Sequence, residues 1–68
     1  MSNWQKVFSD KNEIRAEIVL AVLKDSGLQP VLVNKKDAAY QFGHFEVLVA
    51  PDHVLRAIKI IENDIEFK

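Results

Sequence analysis

The chain predicts one two-layer α+β domain spanning residues 1–68, with elements in the order β-α-β-β-α. Three observations predict it. His44 to Ala50 alternates apolar and polar residues, the period of a half-buried strand. A long apolar-rich segment between Asp10 and Gly27 carries start and stop signals for a helix. A second segment, opened by Pro51, places Val54, Ala57, Ile58 and Ile61 at i, i+3, i+4 and i+7, one stripe of a helix.

The elements follow in order. Trp4 to Phe8 is rich in aromatic and β-branched residues and reads as the first strand. Asp10 and Glu13 have the spacing of a capping box, in which each side chain satisfies a backbone N–H at a helix start. The first helix is expected over Lys11 to Ser26, with Gly27 beyond its end in a left-handed conformation and Leu28 folded back onto Leu23. Pro30 to Asn34 reads as the second strand, Lys35 to Gly43 as the loop of a hairpin, and His44 to Ala50 as the third strand. Pro51 suits the first turn of the second helix, where its missing N–H leaves no hydrogen bond unmade. Arg56, Lys59 and Asn63 take that helix's polar side. The tail Asp64 to Lys68 alternates and reads as a short fourth strand or a packed extension.

Helices joining strands in this order are expected to pack together on one face of a small antiparallel sheet, through right-handed crossovers. The result is a ferredoxin-like plait, completed if the tail adds its strand. One sheet face then stays open. The first helix is more apolar than one stripe requires. Ala16, Val19, Val22 and Leu23 can face the sheet, while Ile14, Ile18 and Ala21 form a neighbouring rung and Leu20 lies further round. Cover by the second helix is the expectation for that rung; self-association, as in a homodimer, is the alternative.

Composition narrows the function. The hydrophobic fraction, 49%, supplies a core, and the 28% of charged residues is an ordinary surface. The absence of cysteine excludes disulfides, cysteine-ligated zinc and thiol catalysis, and favours a reducing, cytoplasmic setting for so small a domain. The N-terminal residues show no signal peptide. The longest apolar run, Ile18 to Leu23, is 6 residues against the roughly 20 of a membrane span. A net charge of −1 without a basic block disfavours nucleic acid and anionic membranes as partners. Trp4, Phe8 and Phe45 could stack bases, but Phe45 shares its face with Val47 and Val49 and reads as core.

The candidate chemistry gathers near the hairpin. Asp37, Tyr40, His44 and Glu46 are close in sequence, and His44 and Glu46 share a strand face. No Ser or Cys nucleophile and no glycine-rich turn accompanies them, so a polar pair is expected, not an acid–base site, and no enzyme. His44 and His53 are the only histidines, too few for a zinc site without carboxylates from across the fold, so no metal or cofactor is expected. The Lys35–Gly43 loop offers cations at Lys35 and Lys36, aromatic area at Tyr40 and Phe42, and a turn at Gly43. Cations beside aromatics are common in contact surfaces. The alternative for Tyr40 and Phe42 is a lid folded onto the core.

Several of these segments resemble a known family. They are Trp4-Gln5-Lys6-Val7-Phe8, Ala16-Glu17-Ile18-Val19, Asp25-Ser26-Gly27-Leu28-Gln29-Pro30-Val31, and Asn34-Lys35-Lys36-Asp37 through Tyr40-Gln41-Phe42-Gly43 to Glu46-Val47-Leu48-Val49. Together they resemble the DUF2007 family, which is grouped with the PII-like (GlnB-like) proteins of ferredoxin type. The resemblance covers essentially the whole chain. It implies a ferredoxin-like fold, a bacterial source and a signal-transducing role of unestablished biochemistry. The Lys35–Gly43 loop is 9 residues, short beside the long effector loop of PII proteins.

The expectation is therefore a non-catalytic interaction or regulatory module. Its candidate residues are Lys35, Lys36, Asp37, Tyr40, Phe42, Gly43, His44 and Glu46, and its partner a protein or a small anionic ligand. The alternatives are a self-associating structural domain and, more weakly, a small-ligand-binding or enzymatic domain using His44 and Glu46.

Overall fold

The structure, a computed structural model, describes residues 3–35 and 43–65. Strand β1 (Gln5–Asp10) leads to helix α1 (Glu13–Asp25), strand β2 (Val31–Asn34) and strand β3 (Phe45–Val49). A single 3-10 turn, Pro51–His53, then runs into helix α2 (Val54–Asp64). The strands form one antiparallel sheet in the order β1-β3-β2. This arrangement is compatible with the expected ferredoxin-like plait.

The register decides which side chains share a face. Phe8 and Leu32 both stand opposite Val47, which is fully buried. Helices α1 and α2 cover that face: Ala16, Val19, Leu23 and Ala57 join Val47, Val49 and Leu28 in one core, with Phe45, Ile60, Ile61 and Ile65 packed around it. The ladder between β1 and β3 slips between Lys6 and Phe8, so Val7 is an extra residue, a β-bulge. On the other face Lys6 stands opposite Leu48, Ser9 and Val33 opposite Glu46, and Val31 opposite Leu48.

The helix start differs from the sequence expectation. Asp10 belongs to β1, where it pairs with Phe45, so the strand runs past Phe8 and no capping box forms. Asn12 is the N-cap instead: its side-chain oxygen accepts from the Ile14 N–H at 2.9 Å. Asp10 accepts from the Asn12 N–H at 2.8 Å and lies 3.6 Å from Arg15, which fixes the turn between strand and helix. The helix end is as expected. Gly27 has φ 89, its N–H donates to the Lys24 carbonyl at 3.0 Å, and the Leu28 N–H donates to the Leu23 carbonyl at 3.1 Å. This is a Schellman ending, with Leu23 and Leu28 both buried.

Two apolar placements are corrected. In α2, Ile58 is 36% exposed and Ile60 packs on the core in its place. At about 100° per residue, Ile60 lies only about 60° from the fully buried Ala57, whereas Ile58 lies about 100° away. In α1, the second helix does not cover the extra rung: Ile14 is 66% exposed, Ile18 is 44% exposed and Ala21 is exposed. Val22 is half-buried at the margin of the covered face. Arg56 of α2 reaches across to donate to the Ser26 carbonyl at 3.1 Å, tying the two helices together at the end of α1.

Asp64 ends α2 and Ile65 is extended, so the tail cannot begin a strand at Asp64. Glu66–Lys68 lie outside the described residues. No helix among the described residues is long and apolar enough to cross a membrane.

Candidate functional site

The sheet face away from the helices carries the site. Alternation along β3 aims Phe45, Val47 and Val49 at the helices and leaves Glu46 and Leu48 on the open side. His44 precedes the strand with the same parity, and its carbonyl accepts from the Lys35 N–H at 2.9 Å, a rung just beyond the ends of β2 and β3. This rung places Lys35 beside His44. From β1, Lys6 and Ser9 join the face; from β2, Val31 and Val33 do.

A polar cluster crosses it. His44 Nε2 lies 2.8 Å from Glu46 Oε2, and Lys6 Nζ lies 3.9 Å from the same oxygen. Glu46 is the least accessible of the three, with 15% of its side chain exposed against 44% for His44. The hydrogen bond from His44 holds the Glu46 carboxyl below the ordinary glutamate range. Partial burial opposes this, and the charges of Lys6, His44 and Lys35 reinforce it. An ionised carboxylate only accepts, so the His44 Nε2 must carry the hydrogen. Leu48, Val31 and Val33 lie beside the cluster as an apolar strip, with Val31 exposed and the other two half-buried.

Chemically, the face offers two ammonium groups and an imidazole around one carboxylate, next to apolar surface. It can hold an acidic or anionic group at Lys6 and Lys35 while apolar atoms rest on Val31 and Leu48. Ser9 stands opposite Glu46 and brings a hydroxyl to the same face, but the imidazole's hydrogen bond goes to Glu46. Among the described residues no group of three or more His, Asp or Glu is placed to hold a metal ion.

Of the residues singled out from sequence, Lys35, His44 and Glu46 come together here, and Gly43 is half-buried just before them. Lys36, Asp37, Tyr40 and Phe42 lie outside the described residues. His53 is in the turn before α2, among none of these groups. Sequence reasoning missed Lys6, Ser9, Val31 and Val33. Only the pairing of β1 and β2 on either side of β3 brings them to Glu46, and alternation within each strand was the one signal that could have grouped them.

Searches of curated proteins and of solved structures returned no match. A family model does match, over residues 4–64, a span that takes in both helices and all three strands of the described residues and every residue of the open-face cluster. Its description is "putative prokaryotic signal transducing protein". With that span matched, the chain belongs to the DUF2007 family.

Proposed function

We propose that this chain is a non-catalytic interaction module with a regulatory role, holding a protein partner or a small anionic ligand on the open face of its sheet. The observation that carries the reading is the Lys6–Glu46–His44 cluster beside the exposed Val31 and the half-buried Val33 and Leu48. An open sheet face with apolar surface and oriented charges has the makeup of a contact surface. Lys36, Asp37, Tyr40 and Phe42, which lie outside the described residues, are assigned to the same site from the sequence alone.

The family's description supports a signalling role, which binding without turnover would serve. The His44–Glu46 pair is taken here as a polar contact of this surface, with 44% of the His44 side chain exposed. The cysteine-free composition supports a cytoplasmic, reducing setting.

The test is binding with variants of known placement. Amide NMR spectra of the labelled chain are recorded with added inorganic phosphate and with a nucleotide triphosphate. A tagged chain is used in parallel to capture proteins from the lysate of its native cell. The reading expects either shifts at Lys6, Lys35, His44 and Glu46, or a captured protein lost with Lys6→Ala/Lys35→Ala and kept with Leu55→Ser on the exposed side of α2. Binding that Leu55→Ser abolishes and the lysine variant keeps would defeat it.

A further inference from the structure

The chain exposes two apolar surfaces of opposite charge. The outer face of α1 carries Ile14, Ile18 and Ala21, bordered by the exposed carboxylates of Glu13, Glu17 and Asp25 against the cations of Lys24 and of Arg15, which also lies 3.6 Å from Asp10. The open sheet face carries Val31, Val33 and Leu48, bordered by the ammonium groups of Lys6 and Lys35 against the carboxylate of Glu46, which Lys6 and His44 already engage. Neither surface is covered by another of the described residues, and α1 lies on the far side of the sheet from the open face.

We propose that α1 of one copy docks on the open sheet face of a second, a head-to-tail contact between copies of this chain. Ile14 and Ile18 then rest on Val31 and Leu48, and the carboxylates of α1 meet Lys6 and Lys35. Charge selects this pairing over the two symmetric ones. Sheet against sheet would bring Lys6 and Lys35 toward their own copies. Helix against helix would do the same with the three carboxylates of α1. Like charges brought together oppose association, whereas opposite ones favour it and fix its register. A head-to-tail contact leaves one free surface of each kind at its ends, so it grows into a ring or a longer assembly. The inference goes beyond the proposed function and needs no other partner. Where both hold, self-association hides the ligand face and the two compete.

The test uses variants at exposed positions. A helix-face variant carries Glu17→Lys and Ile18→Lys; a sheet-face variant carries Val31→Thr and Lys35→Glu. Circular dichroism checks that each folds; if Ile18→Lys unfolds the chain, Glu17→Lys alone replaces it. Sedimentation is followed up to about 1 mM, the weak end of specific association. The proposal expects wild-type mass to rise with concentration and to fall back in high salt, and each variant alone to stay monomeric. Mixed one to one, the variants form a dimer that grows no further, since each supplies the surface the other lacks. A wild-type chain that stays monomeric overturns the proposal and leaves the open face to a different partner. So does association that persists in both variants. Association lost in a variant but not restored by mixing marks a symmetric contact and overturns it as well. None of these results bears on the binding of phosphate, nucleotide or a captured protein, so the two readings fail separately.

Discussion

Replacing Gly27 by alanine isolates one physical term. Gly27 has φ 89, and a Cβ built there meets no atom within 4 Å. The substitution therefore creates no clash beyond its own backbone, and its cost is conformational. A left-handed conformation costs an L-residue about 1–2 kcal/mol. Alanine also narrows the unfolded chain, which returns about 0.4–1 kcal/mol. The net expectation is a loss of about 1 kcal/mol, or about 4–8 °C in Tm for a domain of this size. D-alanine at the same position has the mirror preference: it accepts the folded conformation and still restricts the unfolded chain, so it stabilises by about 0.4–1 kcal/mol. A chain of 68 residues is within reach of chemical synthesis, and both variants can be unfolded thermally with far-UV circular dichroism as readout. Equal stability of the L- and D-alanine proteins would refute the reasoning. It would mean that the end of α1 is not held by the left-handed glycine and the two hydrogen bonds of Gly27 and Leu28.

Other outcomes follow from the same structure. Leu23→Ala removes a fully buried side chain at the centre of the core and is expected to cost about 2–5 kcal/mol in urea unfolding, a large part of the total stability of so small a domain. Asn12→Ala removes the helix cap and is expected to cost about 1 kcal/mol, while Glu13→Ala, which would break a capping box, costs less. Glu46 has a folded pKa below its unfolded value, so its ionised form stabilises the fold above the ordinary glutamate range. That contribution is lost as pH falls through the folded value. The stability gap between wild type and Glu46→Gln should thus be present at neutral pH and close in acid. His44→Ala removes the hydrogen bond that lowers the Glu46 pKa most, so the carboxyl resonance of Glu46 should titrate at higher pH in that variant.

The parts of the fold that sequence made legible are those set by local chemistry. Gly27 and Leu28 announce a helix end because few other residues accept the backbone that ending needs. The alternation of Phe45, Val47 and Val49 announces a strand because it states which side is buried. What stayed hidden depends on pairing across the chain. Asp10 and Asn12 are both good caps, and only the pairing of Asp10 with Phe45 assigns the role to Asn12. Ile58 and Ile60 are both plausible core residues until the burial of Ala57 fixes the orientation of α2. The wide apolar arc of α1 was visible in Ile14, Ile18 and Ala21, but not that α2 leaves it uncovered. In the site, His44 and Glu46 were legible because they are two residues apart in one alternating segment. Lys6 reaches Glu46 only because β1 lies beside β3 and is offset by the bulge at Val7, which no local pattern encodes.

The claim that the open sheet face is the contact surface is tested most directly by mapping it. The labelled chain, with amide resonances assigned, is titrated with whichever protein or anion it binds, or with itself by dilution. The account predicts that the largest shifts fall on Lys6, Val31, Val33, Lys35, His44, Glu46 and Leu48, with matching shifts on Ile14 and Ile18 only in the dilution series. Shifts confined to the outer side of α2, around Leu55 and Ile58, with the open face unmoved, would contradict it.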